Sequence, residues 1–393
     1  MRPTHGRAAP AALAALAALT LLAAGCGSQQ PAAGRHGAGP GQPAGAAAPG
    51  GFTLLATGDV LPHTEIIEQA RNDAHGRGYD FGPMLAGVRA QVSGADLAIC
   101  HMETVYGADG GPFTGYPAFQ SPPQVAAALK ATGYDSCSTA SNHTLDAGAD
   151  GVRRTLGALD AAGVRHAGSA RSADEAARPA LLKAGRATVA QLAYTYGTNG
   201  IAVPEGQPWT VALIDRDKIL ADARAARRAG ADVVVVSLHW GTEWQQEPDG
   251  QQRALARDLT AARTGDRPDI DLVIGTHAHV PQAYEKVNGT WVVYGMGDQL
   301  AGYMYNPQGA VDSRGNQSSM ARFTFAPPHA AGGRWNVSKA EFIPQFTDVD
   351  RDFRVVPLTT AAPRDSAYAR ARDAIRDVVL SRGAAADGLT MTG

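Results

Sequence analysis

The sequence predicts a layered α/β domain, β-sheets flanked by helices, and three observations carry that expectation. Short apolar runs bounded by turn signals recur along the chain. Ala/Leu-rich segments with apolar residues three and four apart lie between them. The composition, 44% hydrophobic and 18% charged over 393 residues, is that of a globular chain with a sizeable core. Strands alternating with helices give layers, and no interdomain linker interrupts residues 52–346, so a single domain is expected. The formal charge of −2 gives no basic footprint, so nucleic acid is not an expected partner.

The expected strands are Phe52–Ala56, Asp96–Cys100, Tyr134–Ser138, Ala187–Tyr194, Asp232–Leu238, Asp271–Gly275 and Trp291–Tyr294. The run Val233-Val234-Val235-Val236 is the clearest, because β-branched residues without alternation suit a strand covered on both faces. Helical spacing marks Gln124–Thr132, Gly148–Ala162, Asp217–Ala229 and Gln251–Arg263. Residues 347–393 read as a C-terminal tail with one weak helix, Ser366–Ser381.

Arg2 and Arg7 precede an apolar run, Ala8–Ala24, that is shorter than the roughly 20 residues of a spanning helix. Basic head, apolar run and small residues before a break read as a secretory signal over residues 1–25. The break, Leu21-Leu22-Ala23-Ala24-Gly25-Cys26, resembles a bacterial lipobox with Cys26 as the lipidated residue. An ordinary secretion signal with an incidental Cys is the alternative. Residues 26–51 are Gly, Ala, Pro, Gln and Ser with almost no large apolar side chain, so they read as a disordered tether. The expected setting is the extracytoplasmic face of the cell membrane, held by a lipid anchor. There Cys100 and Cys137, each near the end of an expected strand, are either a disulfide or two separate buried thiols.

Five motifs follow expected strands: Gly58-Asp59 with His63 nearby, His101-Met102-Glu103, Asn142-His143 with Asp146, His239-Trp240-Gly241-Thr242-Glu243, and His277-Ala278-His279. A lone Gly-Asp or Asn-His is ordinarily a turn, and a lone His at a strand end is ordinarily a hydrogen-bonded structural residue. Together they carry more, because the C-terminal ends of parallel strands converge on one rim, where ligands bind. The two His of the last motif, in an extended segment, point the same way. Mixed nitrogen and oxygen donors suit two divalent transition ions, Mn, Zn or Fe. Such a pair activates water and clamps charge on a phosphoryl oxygen.

The order Gly-Asp, Glu after the second strand, Asn-His-x-x-Asp, His-Trp-Gly-x-Glu and Gly-x-His-x-His resembles the CapA capsule-synthesis family, associated with bacterial poly-γ-glutamate production. The resemblance implies a calcineurin-like metallophosphatase fold. It makes Glu103 a bridging carboxylate, assigns Asp59 and His279 to one ion with His63 as an extra ligand, and assigns Asn142, His239 and His277 to the other. His143 becomes a second-sphere acid oriented by Asp146. This chain departs from the family at His101 for the usual Asn, at Leu61 where metallophosphatases carry a His, and at Asp298 in place of Asn.

Three functions are compatible with these residues. One is an anchored metal-dependent hydrolase of phosphoesters or polymer linkages. Another is a non-catalytic factor that binds an anionic polymer in the same cleft, alongside membrane capsule-synthesis proteins. The third is a solute-binding lipoprotein whose strand-end groups contact ligand without metal.

Overall fold

A computed structural model describes residues 50–330 and 333–393. The expected signal, Cys26 and nearly all of the expected tether lie outside the described residues. No described helix is long and apolar enough to cross a membrane.

β1 (Phe52–Leu61), β2 (Leu97–Met102), β3 (Ser136–Ser138) and β4 (Arg165–Ala167) pair in parallel. Parallel neighbours need long crossovers, and the helices Thr64–Asp73, Gln124–Thr132 and Gly148–Ala162 supply them in turn. β5 (Ala180–Ala184) and β6 (Ala187–Thr195) are an antiparallel hairpin that opens a second sheet. β7 (Val233–His239) joins it after the helix Arg216–Arg228, whose first turn is capped by the Asp215 carboxylate accepting Lys218 N–H. The helix Gly250–Ala261 and a small hairpin, β8 (Arg263–Thr264) with β9 (Arg267–Pro268), lead to β10 (Leu272–Thr276). β11 (Tyr284–Val287) and β12 (Thr290–Val293) finish this sheet, in the order β11-β12-β10-β7-β6-β5.

The chain then returns to the first sheet. β13 (Asp298–Ala301) pairs with the end of β1, and the long β14 (Gln317–Ala326) and β15 (Asn336–Asp348) extend the sheet antiparallel. β16 (Arg354–Pro357) and β17 (Leu389–Met391) both pair with β15. The segment after Asp348, expected as a tail, is therefore part of the sheet. Its helix Ser366–Val379 is amphipathic, and Tyr368, Ile375 and Val379 pack into the core beside Phe342.

Alternation along the strands divides the interior into layers. Phe52, Leu54 and Ala56 of β1 meet Val233 and Val235 of β7 between the sheets. Leu55 and Val60 face the helices of the first sheet. Val234, Val236 and Leu238 face the helices Arg216–Arg228 and Gly250–Ala261. The order is helix, sheet, sheet, helix, the layered α/β arrangement that the sequence predicts. β7 is covered on both faces, as its unalternating valines require. Leu238→Ala is expected to cost about 2–5 kcal/mol as a core truncation. Because β1, β2 and β3 run parallel in one sheet and β6, β7 and β10 run parallel in the other, the residues at the ends of these strands gather at one rim.

Candidate metal centre

Gly58 is needed where β1 approaches the chain before β13. A Cβ there would lie 1.7 Å from the Gly297 carbonyl oxygen. That approach lets Asp59 N–H donate to the Gly297 carbonyl at 3.1 Å and sets the Asp59 side chain at the rim. Asp59 then has two neighbours in register, His101 on β2 and Asp298 on β13. Glu103 follows the last residue of β2. Its backbone carbonyl accepts from the Ser141 hydroxyl, whose oxygen in turn accepts His143 N–H at 3.0 Å. This fixes the turn carrying Asn142 and His143 against Glu103.

His239 is the final residue of β7. Its Nε2 lies 2.8 Å from Asn142 Oδ1 and 3.7 Å from Glu103 Oε1, and its Nδ1 lies 3.9 Å from Asp59 Oδ1. Asn142 is oriented by donating its Nδ2–H to Asn199 Oδ1 at 3.2 Å. β10 ends at Thr276, and the expected extended segment stops there. His277 and His279 have φ of 97° and 55°, a left-handed backbone that costs a non-Gly residue of order 1–3 kcal/mol. The two rings still converge, their centroids 5.9 Å apart, through a turn and not through strand alternation. His277 N–H donates to Asp59 Oδ2 at 3.1 Å. His279 Nδ1 donates to Asp298 Oδ1 at 2.9 Å, leaving Nε2 at 4.0 Å from Glu103 Oε1.

Asp59, Glu103, Asn142, His239, His277 and His279 thus meet in one buried cluster. His63, expected as an extra ligand, lies beside the cluster and is half-buried. Its Nδ1 accepts Gly302 N–H at 3.2 Å, its ring packs edge-on to Phe119, and it joins none of the ligand-competent groups among the described residues. His143 also packs edge-on to Phe119, with ring centroids 4.8 Å apart. Asp146 Oδ2 accepts both His143 Nδ1–H and Phe119 N–H at 2.7 Å. Cys100 and Cys137, partners across β2 and β3, are joined as a disulfide with Cα atoms 4.4 Å apart. The bond lies one residue before His101 and ties together the strands that carry Glu103 and the Asn142 turn.

Asp298 is the site residue that the sequence reading noted only as a departure from a family pattern. It follows Gly295-Met296-Gly297, which carries no strand signal of its own, and reaches the rim only because β13 pairs with β1. The exposed Glu243 also brings a carboxylate to His277 and His279.

The electrostatics explain why these groups need a partner. Burial, with Asp298 beside it, pushes Asp59 up to about 8. Burial and the Asp59 charge raise Glu103 well above the carboxylate range, and burial raises Asp298 against the pull of His279. Burial lowers His101 to about 3 and His63 to about 4, and holds His239 and His277 well below an ordinary imidazole. Burial also acts to lower His279, but Asp298, Glu103 and Asp59 together outweigh it and raise it. Asp59 Oδ1, both Glu103 oxygens, Asp298 Oδ2, His101 Nε2 and His277 Nδ1 are buried without a hydrogen-bond partner. Left so, each carries a desolvation cost of about 1–3 kcal/mol, more when charged. Divalent cations would satisfy them, because such ions favour ionised carboxylates and neutral imidazoles. The donor set fits a borderline transition ion better than calcium.

The family described as "Bacterial capsule synthesis protein PGA_cap" matches residues 53–303. The chain is 30% identical over 172 residues to "PGA biosynthesis protein CapA" of Bacillus subtilis, covering 43% of this chain and 43% of that protein. It is 28% identical over 176 residues to "Capsule biosynthesis protein CapA" of Bacillus anthracis, covering 44% of this chain and 41% of that one. The chain thus spans less than half the length of these curated relatives. Among solved structures, the calcineurin-like phosphoesterase YfkN from Bacillus subtilis superposes with a TM-score of 0.42 at 15% identity, covering 83% of this chain and 99% of that one. NAD nucleotidase (NadN) from Haemophilus influenzae gives 0.44 at 13%, covering 87% and 64%. With its matched region running from β1 through the rim to β13, the chain belongs to the bacterial capsule synthesis (PGA_cap) family.

Proposed function

We propose that the chain is a metal-dependent hydrolase of phosphoester or polymer linkages, working outside the cytoplasm in capsule, poly-γ-glutamate or envelope-polymer production. The single observation that supports it most is the set of buried, unpartnered carboxylate oxygens and imidazole nitrogens around Asp59 and Glu103. In this reading Asp59 and His279 hold one ion, Asn142, His239 and His277 hold a second, and Glu103 serves both. His63 is left to position the loop at Gly302. Mn, Zn or Fe suits these donors. When bound, such ions supply Lewis acidity and lower the pKa of a coordinated water.

The chain's own residues do the rest. Asp298 fixes the His279 tautomer through Nδ1, the usual role of a carboxylate behind a liganding imidazole. Asp146 accepts the Nδ1–H of His143 and partners its imidazolium; in that charged form Nε2–H is the group that gives a proton to the departing oxygen or holds the phosphoryl group, and giving it leaves the neutral ring with Nδ1–H still on Asp146. Tyr196, half-exposed and with its ring 4.5 Å from that of His277, forms one wall of the cleft. Cys26 carries the lipid anchor, and residues 27–51 hold the domain off the membrane. The substrate is an anionic polymer or phosphoester, presented by membrane capsule-synthesis proteins.

The test is metal content and hydrolysis of the purified full chain. About two transition ions per chain and chelator-sensitive cleavage of an activated phosphoester are expected. Metal-replete protein that cleaves nothing on a broad phosphoester and amide panel sinks the enzymatic reading. In a deletion strain, rescue of polymer by His143→Ala points to binding in the same cleft without catalysis.

A further inference from the structure

His101 is the one buried imidazole at the rim that the ligand scheme above leaves without a role. Its Nδ1 lies 2.7 Å from Ser138 Oγ. That hydroxyl has an acceptor of its own, the Cys100 carbonyl oxygen at 3.4 Å. When it donates there, it receives the Nδ1–H of His101. In the neutral ring Nε2 is then the bare nitrogen, and it faces Asp59 Oδ1 at 3.5 Å. Both atoms are buried and neither has a hydrogen-bond partner.

Two lone pairs facing each other in a dry site are unfavourable, and a cation between them removes the conflict. The separation suits one. Two ligands about 2.1 Å from the same ion at a roughly tetrahedral angle stand about 3.4 Å apart. A third donor is in place in His279, which the scheme above puts on the same ion and which with Asp59 and Asp298 presents atoms that all lie within 4.8 Å of one another. The His101 and His239 rings are stacked with centroids 4.7 Å apart. β1 offers no nitrogen of its own here, since Leu61, two residues beyond Asp59, is buried in an apolar cluster with Phe119 and Met304.

We propose that His101 Nε2 is a direct ligand of the divalent ion held by Asp59, supplied from the neighbouring strand. The inference rests on the reading of the rim as a metal centre. Its ligand class is a borderline divalent ion such as zinc or manganese.

The test uses the full chain as wild type, His101→Ala, His101→Asn and Ser138→Ala, each checked for fold by circular dichroism and for the Cys100–Cys137 bond. Metal content is measured after dialysis, affinity by chelator competition, and ligand field by visible absorption of the Co²⁺-loaded protein. Both His101 variants are expected to lose one ion while keeping the other. The affinity for the lost ion is expected to fall more than about a hundredfold, beyond the 10–100-fold of an outer-sphere partner. The cobalt bands should shift. Ser138→Ala, which frees only Nδ1, should weaken the same ion by about 10–100-fold at most and leave the bands in place. His101 variants that keep both ions, with affinities within about tenfold and unchanged cobalt bands, overturn the proposal and leave the metal centre standing. Wild-type protein that takes up no ion overturns both.

Discussion

The two ends of the parallel strands use the same side chains to opposite effect. At the N-terminal ends, Asp96, Asp135, Asp232 and Asp271 stand just before β2, β3, β7 and β10. Each turns an oxygen to the backbone of the neighbouring strand, accepting from Thr53, Ala98, Thr188 and Val234 N–H at 2.7–2.9 Å. These carboxylates complete the ladder where its last amide would otherwise be unpaired. Asp271, fully buried, also meets the guanidinium of Arg227, with Arg334 3.6 Å away. At the opposite rim stand Asp59 near the end of β1, Glu103 just after β2 and Asp298 at the start of β13. All three are as buried as Asp271, whereas Asp96, Asp135 and Asp232 are exposed or half-buried, and no arginine or lysine reaches the three rim carboxylates among the described residues. A buried carboxylate with donors is part of the scaffold. One without them is built for a cation that comes from outside the chain.

Paired substitutions break this comparison most sharply. Asp271→Ala takes the carboxylate from the half-buried Arg227 and leaves the buried Val234 N–H without its acceptor, and should destabilise by about 3–5 kcal/mol, with or without metal. Glu103→Gln removes a charge that nothing in the chain compensates. In chelator its melting temperature should match or exceed that of wild type. Added Mn²⁺ or Zn²⁺ should stabilise wild type, by about 2.7 kcal/mol at a hundred times the dissociation constant, and leave Glu103→Gln nearly unmoved. Thermal melts of both variants with and without ion settle the matter. A Glu103→Gln loss as large in chelator as that of Asp271→Ala would put the two ends of the strands in the same class.

The disulfide is next in size. Cys100 and Cys137 enclose a separation of 37 residues, for which loop-closure entropy gives about 4 kcal/mol. It ties β2 to β3 directly beneath Glu103 and Asn142. Cys100→Ala/Cys137→Ala should therefore lower stability by up to that amount while the ligands remain present. The measurement is a denaturant melt together with metal content. Loss of metal before loss of fold would show that the bond holds the rim itself.

These two ends also differ in how far the sequence announces them. Asp59, Glu103, Asn142 and His239 are legible because each follows an apolar run that reads as a strand, and parallel strands bring their ends together. His277 and His279 are legible as ligands but not in conformation, since nothing in Thr-His-Ala-His signals positive φ at non-glycine residues. Asp298 is not legible at all as a rim residue. Its place depends on β13 returning from the second sheet to pair with β1, a contact across more than two hundred residues. β14 and β15 are hidden for a related reason. They carry Ser318, Ser319, Arg322 and Glu341 at buried positions, so no clean apolar pattern marks them. Arg322 and Glu341 satisfy each other, which a linear pattern cannot show.

That pair gives the next effect. Glu341 accepts from Arg322 Nε and Nη2, each at 3.1 Å, with Lys339 also in contact. Burial acts to raise its carboxyl, but these partners prevail and hold it below the ordinary range. A depressed folded-state pKa contributes stability above the unfolded value of about 4.3 and loses it as pH falls through the folded value. Glu341→Gln should cost about 1.5–3 kcal/mol at neutral pH, as for hydrogen bonds to a charged group. The difference from wild type should shrink below pH 4. A gap in melting temperature that does not depend on pH would mean that packing, not charge, is what the variant removes.

The smallest expected effect lies at a helix cap. Asp249, ten residues after His239, caps the helix Gly250–Ala261, accepting Gln252 N–H at 2.8 Å while the Gln252 side chain accepts Asp249 N–H at 2.9 Å. Gln252 then donates to Gln282 Oε1 at 2.8 Å, three residues beyond His279. The cap therefore touches a polar network that leads towards the rim, yet every atom in it has a partner. By the distinction drawn above it belongs to the scaffold. Asp249→Ala should cost about 1 kcal/mol, the usual value of a lost N-cap, and leave metal content and affinity as in wild type. A clear drop in metal affinity would show that the network positions His279, and that having a full set of partners is not enough to mark a polar group as structural.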